Sequence, residues 1–133
     1  MKKVGIWIDH RRAVVVTIDA GQESRQVVES DLERHPGPEG GRRTGTAYGP
    51  QVKDVERQVE EKTRHHLAAF YRDVIKRMGK PDRLLVMGPG EARREFVALV
   101  EKTPALRGVS MKVEAADRMT DEQVAVKVRT AEF

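Results

Sequence analysis

The sequence predicts a single α/β domain of three layers, with a mixed five-stranded sheet between helices. Three observations predict it. Short, β-branched-rich runs open the chain; a long stretch with apolar residues at every third or fourth position follows; and Leu84-Leu85-Val86-Met87 leads through Gly88-Pro89-Gly90 into a second amphipathic stretch. The last is the strand, turn and helix of a βα unit. A length of 133 residues supplies one hydrophobic core and falls short of two ordinary domains.

Val4–Asp9, Ala13–Asp19 and Arg25–Ser30 read as three strands, separated by His10-Arg11-Arg12 and Ala20-Gly21-Gln22-Glu23. Such spacing suits an antiparallel meander. Apolar residues at consecutive positions in the first two runs imply cover on both faces, whereas the third alternates as an edge strand does. From Glu33 to Gln51 the chain holds Pro36, Gly37, Pro38, Gly40, Gly41, Gly45, Gly49 and Pro50, a density that forbids regular structure. A flexible loop over 34–51, about 17 residues, exceeds the usual structureless connection and is either functional or a solvated insertion. The functional reading is preferred.

Val52, Val55, Val59, Thr63, Leu67, Phe70, Val74 and Met78 then recur at helical spacing and predict a helix over 52–78, ended by Gly79 and Pro81. Its other face mixes basic and acidic residues at i,i+4 spacing and reads as solvated. Arg83–Met87 is a buried strand; Ala92, Phe96, Leu99 and Val100 give a helix reaching Pro104; Val109–Ala115 is a fifth strand. Thr120-Asp121-Glu122-Gln123 has the form of a capping box opening a last helix with Val124 and Val128. The order βββαβαβα, with helical crossovers between parallel strands, favours a ribonuclease H-like sheet of strand order 3-2-1-4-5.

Composition narrows the function classes. Lys and Arg number 25 against 21 Asp and Glu, a net charge of +4 that leans toward an anionic partner such as nucleic acid. No cysteine is present, which excludes disulfides, thiol catalysis and thiolate metal sites and fits a cytoplasmic protein. Met1 to Asp9 reaches a charge after five apolar residues, too few for a signal-peptide core, so it reads as a strand. No run approaches the roughly 18 apolar residues of a membrane span, and no membrane partner is expected.

Several motifs carry or deny chemistry. Gly88 and Gly90 follow a strand and open a helix, so with Arg93 they form a candidate anion-binding turn. The spacing is not that of a nucleotide-binding loop, and Glu91 already complements the helix dipole; a structural turn is preferred. A ribonuclease H-type metal nuclease would use Asp9 with Glu56 or Glu60, but the fourth strand supplies no acid and Asp117 would substitute only by unusual geometry. His10, His35, His65 and His66 form no spaced metal signature, since adjacent helical histidines point about 100° apart. Ser24, Ser30 and Ser110 have no evident base. No catalytic residue, metal or cofactor is assigned. There remains the loop, where glycines set Arg42 and Arg43 apart from the body. Their guanidinium groups suit RNA phosphates and Tyr48 suits a base, with Arg57 on the following helix as a further RNA contact.

Taken together, these elements resemble the middle domain of the archaeal and eukaryotic class-1 peptide release factor, shared with Pelota and with small bacterial release-factor-like proteins. The resemblance rests on Val4-Gly5-Ile6-Trp7-Ile8-Asp9 as first strand, the Gly40-Gly41 loop before a long basic helix, and Leu85-Val86-Met87-Gly88-Pro89-Gly90-Glu91-Ala92-Arg93 as the family's Gly-Pro-Gly turn. In the release factors a Gly-Gly-Gln tripeptide in this loop enters the peptidyl transferase centre and helps position water against the peptidyl-tRNA ester. The resemblance places Gly40 and Gly41 at the tip, but Arg42 follows where the factors have glutamine, and Gln51 lies ten positions beyond Gly41. Pelota-like members also lack the tripeptide and act by binding ribosomes. What the resemblance implies is a translation protein, active in ribosome rescue, that binds the ribosome or its ribosomal and transfer RNA without glutamine-dependent hydrolysis. The full factors carry codon-reading and partner-binding domains for which 133 residues leave no room, so the chain is expected to act alone or with a separate protein adaptor. The alternatives are peptidyl-tRNA hydrolysis by a glutamine-free loop that depends on Gly40 and Gly41, the metal-dependent nuclease centred on Asp9, and a protein-binding adaptor without enzymatic activity.

Overall fold

A computed structural model of the protein describes residues 1–30 and 49–133, with side chains described outside 49–60. The loop expected at 34–51, and with it Gly40, Gly41, Arg42, Arg43 and Tyr48, lies outside the described residues up to position 48. The elements are β1 (Lys2–Ile8), β2 (Arg12–Asp19), β3 (Gln22–Glu29), α1 (Gly49–Met78), β4 (Arg83–Gly88), α2 (Gly90–Glu101), β5 (Ser110–Ala115) and α3 (Asp121–Thr130), with a 3-10 turn at Pro104–Leu106. They form one sheet of order β3-β2-β1-β4-β5. The expected order and the central place of the first strand are both observed.

β1 pairs antiparallel with β2, Ile8 opposite Ala13 and Lys2 opposite Asp19, and parallel with β4, Val4 beside Leu84 and Trp7 beside Met87. β5 extends the parallel half, and β3 closes the other side against β2. The second hairpin is tighter than its sequence suggests. Asp19 pairs with Gln22 across Ala20 and Gly21 alone, both at positive φ (53° and 80°), the two-residue geometry that matches strand twist. β3 therefore starts at Gln22, three positions before the expected Arg25. α1 likewise starts at Gly49 instead of Val52, because a proline in the first turn of a helix forfeits no hydrogen bond there.

The alternation of β1 sends its side chains to two separate cores. Val4, Ile6 and Ile8 join Ala13, Val15, Leu84 and Val86 under α1 (Leu67, Phe70, Tyr71, Val74, Met78) and α2 (Phe96, Val100). Trp7, with Val14, Val16, Leu85 and Met87, packs against Val124, Ala125 and Val128 of α3 on the opposite face. Three layers result, α1 and α2 above the sheet and α3 below. The capping box is as expected: Thr120 Oγ1 accepts from Gln123 N–H at 3.1 Å, and Gln123 Oε1 accepts from Thr120 N–H at 2.9 Å. Both ends of α3 are clasped to the edge strand, with Arg129 of its last turn on Glu23 at 2.6 Å and Arg25 on Glu122 of its first turn at 2.9 Å. The Arg129 hydrogen bond, helped by Arg25, holds the Glu23 carboxyl below its ordinary range. Among the described residues no helix is long and apolar enough to cross a membrane.

Gly5 sets how closely α3 approaches the sheet. A Cβ there would lie 2.1 Å from a methyl group of Val128, so even alanine must push α3 away. Gly5→Ala is expected to destabilise the fold by about 1–3 kcal/mol in urea unfolding, the cost of overpacking a filled core. Val128→Ala should recover part of that loss in the double variant; additive losses would show that the Gly5 and Val128 contact is not the cause.

Candidate functional site

Because β1 and β4 are parallel neighbours, their carboxyl ends lie side by side and deliver the β1–β2 turn and the β4–α2 turn to one place. Ligand sites in open α/β sheets form at such strand ends, where polar side chains escape the two buried faces. The β1–β2 turn is built by Asp9. Its Oδ1 accepts from the backbone N–H groups of Arg11 and Arg12, both at 2.8 Å, while its own N–H donates to the Arg12 carbonyl at 3.0 Å. The carboxylate that a nuclease reading assigns to metal is thus engaged in shaping a turn. Asp117 lies toward the opposite face, where its carbonyl accepts from the Trp7 indole at 3.0 Å. Glu56, Glu60 and Arg57 fall in the part of α1 whose side chains lie outside the described residues.

The same turn is fastened from two more elements. Ser30, just past β3, donates from Oγ to the His10 carbonyl at 2.7 Å and from its N–H to the Arg11 carbonyl at 2.8 Å. His66 of α1 in turn donates from Nε2 to the Ser30 carbonyl. That contact accounts for one of the two adjacent helical histidines; His65 points to solvent.

On the β4 side, Gly88 sits at φ 139°, and a Cβ there would lie 2.2 Å from the Ile8 carbonyl oxygen. Glycine is required because the two strand ends touch backbone to backbone. Arg93 closes the turn by donating from Nη1 to the Gly88 carbonyl at 2.8 Å. Gly90 begins α2, Pro89 is its cap residue, and no side chain caps the first turn. Of the proposed anion-binding residues, then, Gly88, Gly90 and Arg93 do come together. Both signs of charge surround them: the Arg94 guanidinium lies against Gly90, while Glu91 and Glu95 occupy the first two turns of α2 and act together with Asp9 on the nearby Tyr71 hydroxyl.

Glu91 and Glu95, four apart on α2, share one helical face. His10 Nε2 lies 3.1 Å from Glu95 Oε1, with side chains 33% and 41% exposed. The ligand atoms of His10, Glu91 and Glu95 all lie within 4.8 Å of one another, the one group of His, Asp and Glu atoms that close among the described residues. Glu95 Oε1 also accepts from the hydroxyl of Tyr71 at 2.6 Å, a buried side chain held by its ring contacts with Phe70 and Phe96 (centroids 5.5 and 6.0 Å). Beyond Tyr71 a groove of about 390 Å³ runs between α1 and α2, with Arg64 and Lys102 among the residues that line it. Sequence reasoning missed this grouping. His10 stands 81 positions from Glu91, and no local spacing announces a contact made by two parallel strand ends; the i,i+4 pair of glutamates was the one signal available.

No family model matches the chain, and no curated protein matches it. Among solved structures, the Thermoplasma acidophilum Pelota protein is similar over 98% of this chain and 33% of its own, with 15% identity and a TM-score of 0.58. The archaeal translation termination factor aRF1 aligns over 98% of this chain and 35% of its own, at 13% identity and a TM-score of 0.44. The chain spans about a third of the length of either protein. At that identity the likeness to Pelota shows a shared fold, and the three-layer α/β domain expected from the sequence is the one it shows.

Burial, then the Glu95 hydrogen bond and the negative charges of Glu95, Glu91 and Asp9, push the Tyr71 hydroxyl well above its ordinary range. A tyrosine in the unfolded chain ionises near pH ~10, so this raised group stabilises the fold fully below that pH and progressively less as pH rises through it. Tyr71→Phe should therefore cost about 1 kcal/mol at neutral pH, from the lost hydrogen bond, and flatten the fall of Tm between about pH 9.5 and 11. Equal alkaline slopes for the two proteins would contradict the assignment.

Proposed function

We propose that this domain is a release-factor-like translation module that binds the ribosome, through ribosomal or transfer RNA, by means of Arg42 and Arg43. The observation that carries the reading is the fold it shares with Pelota over 98% of the chain, combined with the place of the Arg-rich segment. That segment joins β3 to α1, the connection in which the release factors carry their Gly-Gly-Gln loop. Gly40 and Gly41 stand at its centre, Tyr48 and Arg57 add a stacking surface and a cation, and Arg42 stands where the factors have glutamine. Binding without glutamine-dependent hydrolysis of peptidyl-tRNA follows from that replacement.

The helical geometry supports the assignment. Among the described side chains, α1 contacts the core from Leu67 to Met78. The 17 steps from Gly49 to His66, at about 1.5 Å of rise each, carry its start roughly 25 Å along the axis from the fastened end of the sheet. Cations borne there reach a large polyanion without bringing the carboxylates around Glu91 and Glu95 against it. Those carboxylates weigh against phosphate at the Gly88-Pro89-Gly90 turn and favour the loop as the RNA contact. The module works in the cytoplasm, with a separate adaptor where recruitment demands one.

Phosphate contacts release counterions and lose affinity steeply with salt. The wild-type protein is therefore expected to co-sediment with ribosomes at about 100 mM salt and to be released by about 500 mM. Arg42→Glu with Arg43→Glu should abolish the low-salt binding while leaving the unfolding midpoint unchanged. Ribosome binding by the double variant equal to wild type would rule out the loop, and no wild-type binding at low salt would favour a protein-binding adaptor.

A further inference from the structure

We propose that His10, Glu91 and Glu95 bind a divalent transition-metal ion at the carboxyl ends of β1 and β4. The donors come from two elements whose relative position is fixed by the β1–β4 pairing, by the backbone contact of Gly88 with Ile8, and by Ser30 on the β1–β2 turn. Their ligand atoms fall within 4.8 Å of one another. Donors held at about 2.0–2.2 Å from one ion lie within about 4.4 Å of one another, a spacing that small side-chain rotations reach from here.

Charge gives a second argument. Some described carboxylates are matched by cations of their own: Glu23 and Glu122 by Arg25 and Arg129, Glu114 by Lys112 and Lys127, Asp121 by Arg12. At the strand ends Asp9, Glu91 and Glu95 converge, and among the described residues no Lys or Arg side chain forms an ion pair with any of them; His10 alone faces Glu95. A bound cation would offset the negative charge that Glu91 and Glu95 bring together beside His10. The Tyr71 hydroxyl on Glu95 Oε1 supplies the outer hydrogen bond that orients a ligating carboxylate.

The donor set selects the metal. An imidazole nitrogen with two carboxylates suits zinc, manganese or cobalt, whereas calcium and magnesium take oxygen ligands. With the proton on Nδ1, the His10 Nε2 lone pair is available to the ion. Three protein donors leave coordination positions for water, and the partial exposure of His10 and Glu95 gives the ion a path from solvent.

Titration of the purified full chain with Zn²⁺ in a calorimeter tests the site, with Co²⁺ absorption as a readout of coordination. Wild type is expected to bind a single Zn²⁺ with a Kd on the order of micromolar and to show the visible bands of bound Co²⁺. Glu91→Gln alters an exposed residue outside the cores and should fold as wild type by far-UV circular dichroism; it and His10→Asn should each weaken Zn²⁺ at least tenfold. Tyr71→Phe should weaken it less, and His65→Asn not at all. Failure of wild type to bind below about 1 mM, or unchanged affinity in both Glu91→Gln and His10→Asn, would overturn the proposal. Neither result depends on ribosome binding.

Discussion

The parallel pairing of β1 with β4, buried on both faces, is the constraint on which the rest of this structure depends. Residues 4–8 of β1 and 84–88 of β4 are buried without interruption, so these two strands present no polar side chain over their packed length. That requirement selects Val, Ile, Leu, Met and Trp on both sides and makes glycine at position 5 the adjustment that lets α3 seat. It also excludes chemistry from the middle of the sheet. Charged groups collect where the strands end, and because the two strands run the same way, one end gathers both turns.

What collects there is held with little freedom. Asp9 folds its own turn, Ser30 and His66 tie that turn to β3 and α1, Arg93 closes the opposite turn on Gly88, and Tyr71 reaches from α1 to Glu95 on α2. The Asp9 and Arg93 bonds are local, whereas those of Ser30, His66 and Tyr71 span 20, 36 and 24 positions; together they join the β1–β2 turn, the end of β3, α1 and α2 around the strand ends. The apolar cores determine which layers pack, and these polar contacts determine how the ends of the layers register. Hence the backbone positions of His10, Glu91 and Glu95 are held together even though their side chains open to water.

The elements were legible in the sequence wherever periodicity was strong. β1, β2 and β4 announce themselves as unbroken apolar runs, α3 by its capping box, and the order 3-2-1-4-5 follows from crossover rules applied to those elements. The boundaries that differed, Gln22 for β3 and Gly49 for α1, turn on local chemistry that composition obscures: a two-residue turn containing Ala20 at positive φ, and a proline tolerated inside a first helical turn. Tyr71 was absent from the expected stripe because its polar end argues against burial; ring contacts with Phe70 and Phe96 and an acceptor at Glu95 meet that cost. The His10 grouping was illegible for a stronger reason. It depends on strand adjacency, and a sequence states adjacency only through topology.

The molecule thereby separates two kinds of charge. Its net charge is +4, yet the rigid strand ends concentrate carboxylates while Arg42 and Arg43 lie in the connection between β3 and α1. Within a Debye length, about 8 Å at physiological salt, opposite charges would cancel. The start of α1 at Gly49 stands roughly 25 Å along the helix from His66, several such lengths, so an anionic surface held there does not feel the glutamates. A cation at Glu91 and Glu95 and a polyanion at the start of α1 are therefore compatible occupants of one domain. The length of α1, far more than its contacts with the core require, is what makes them independent.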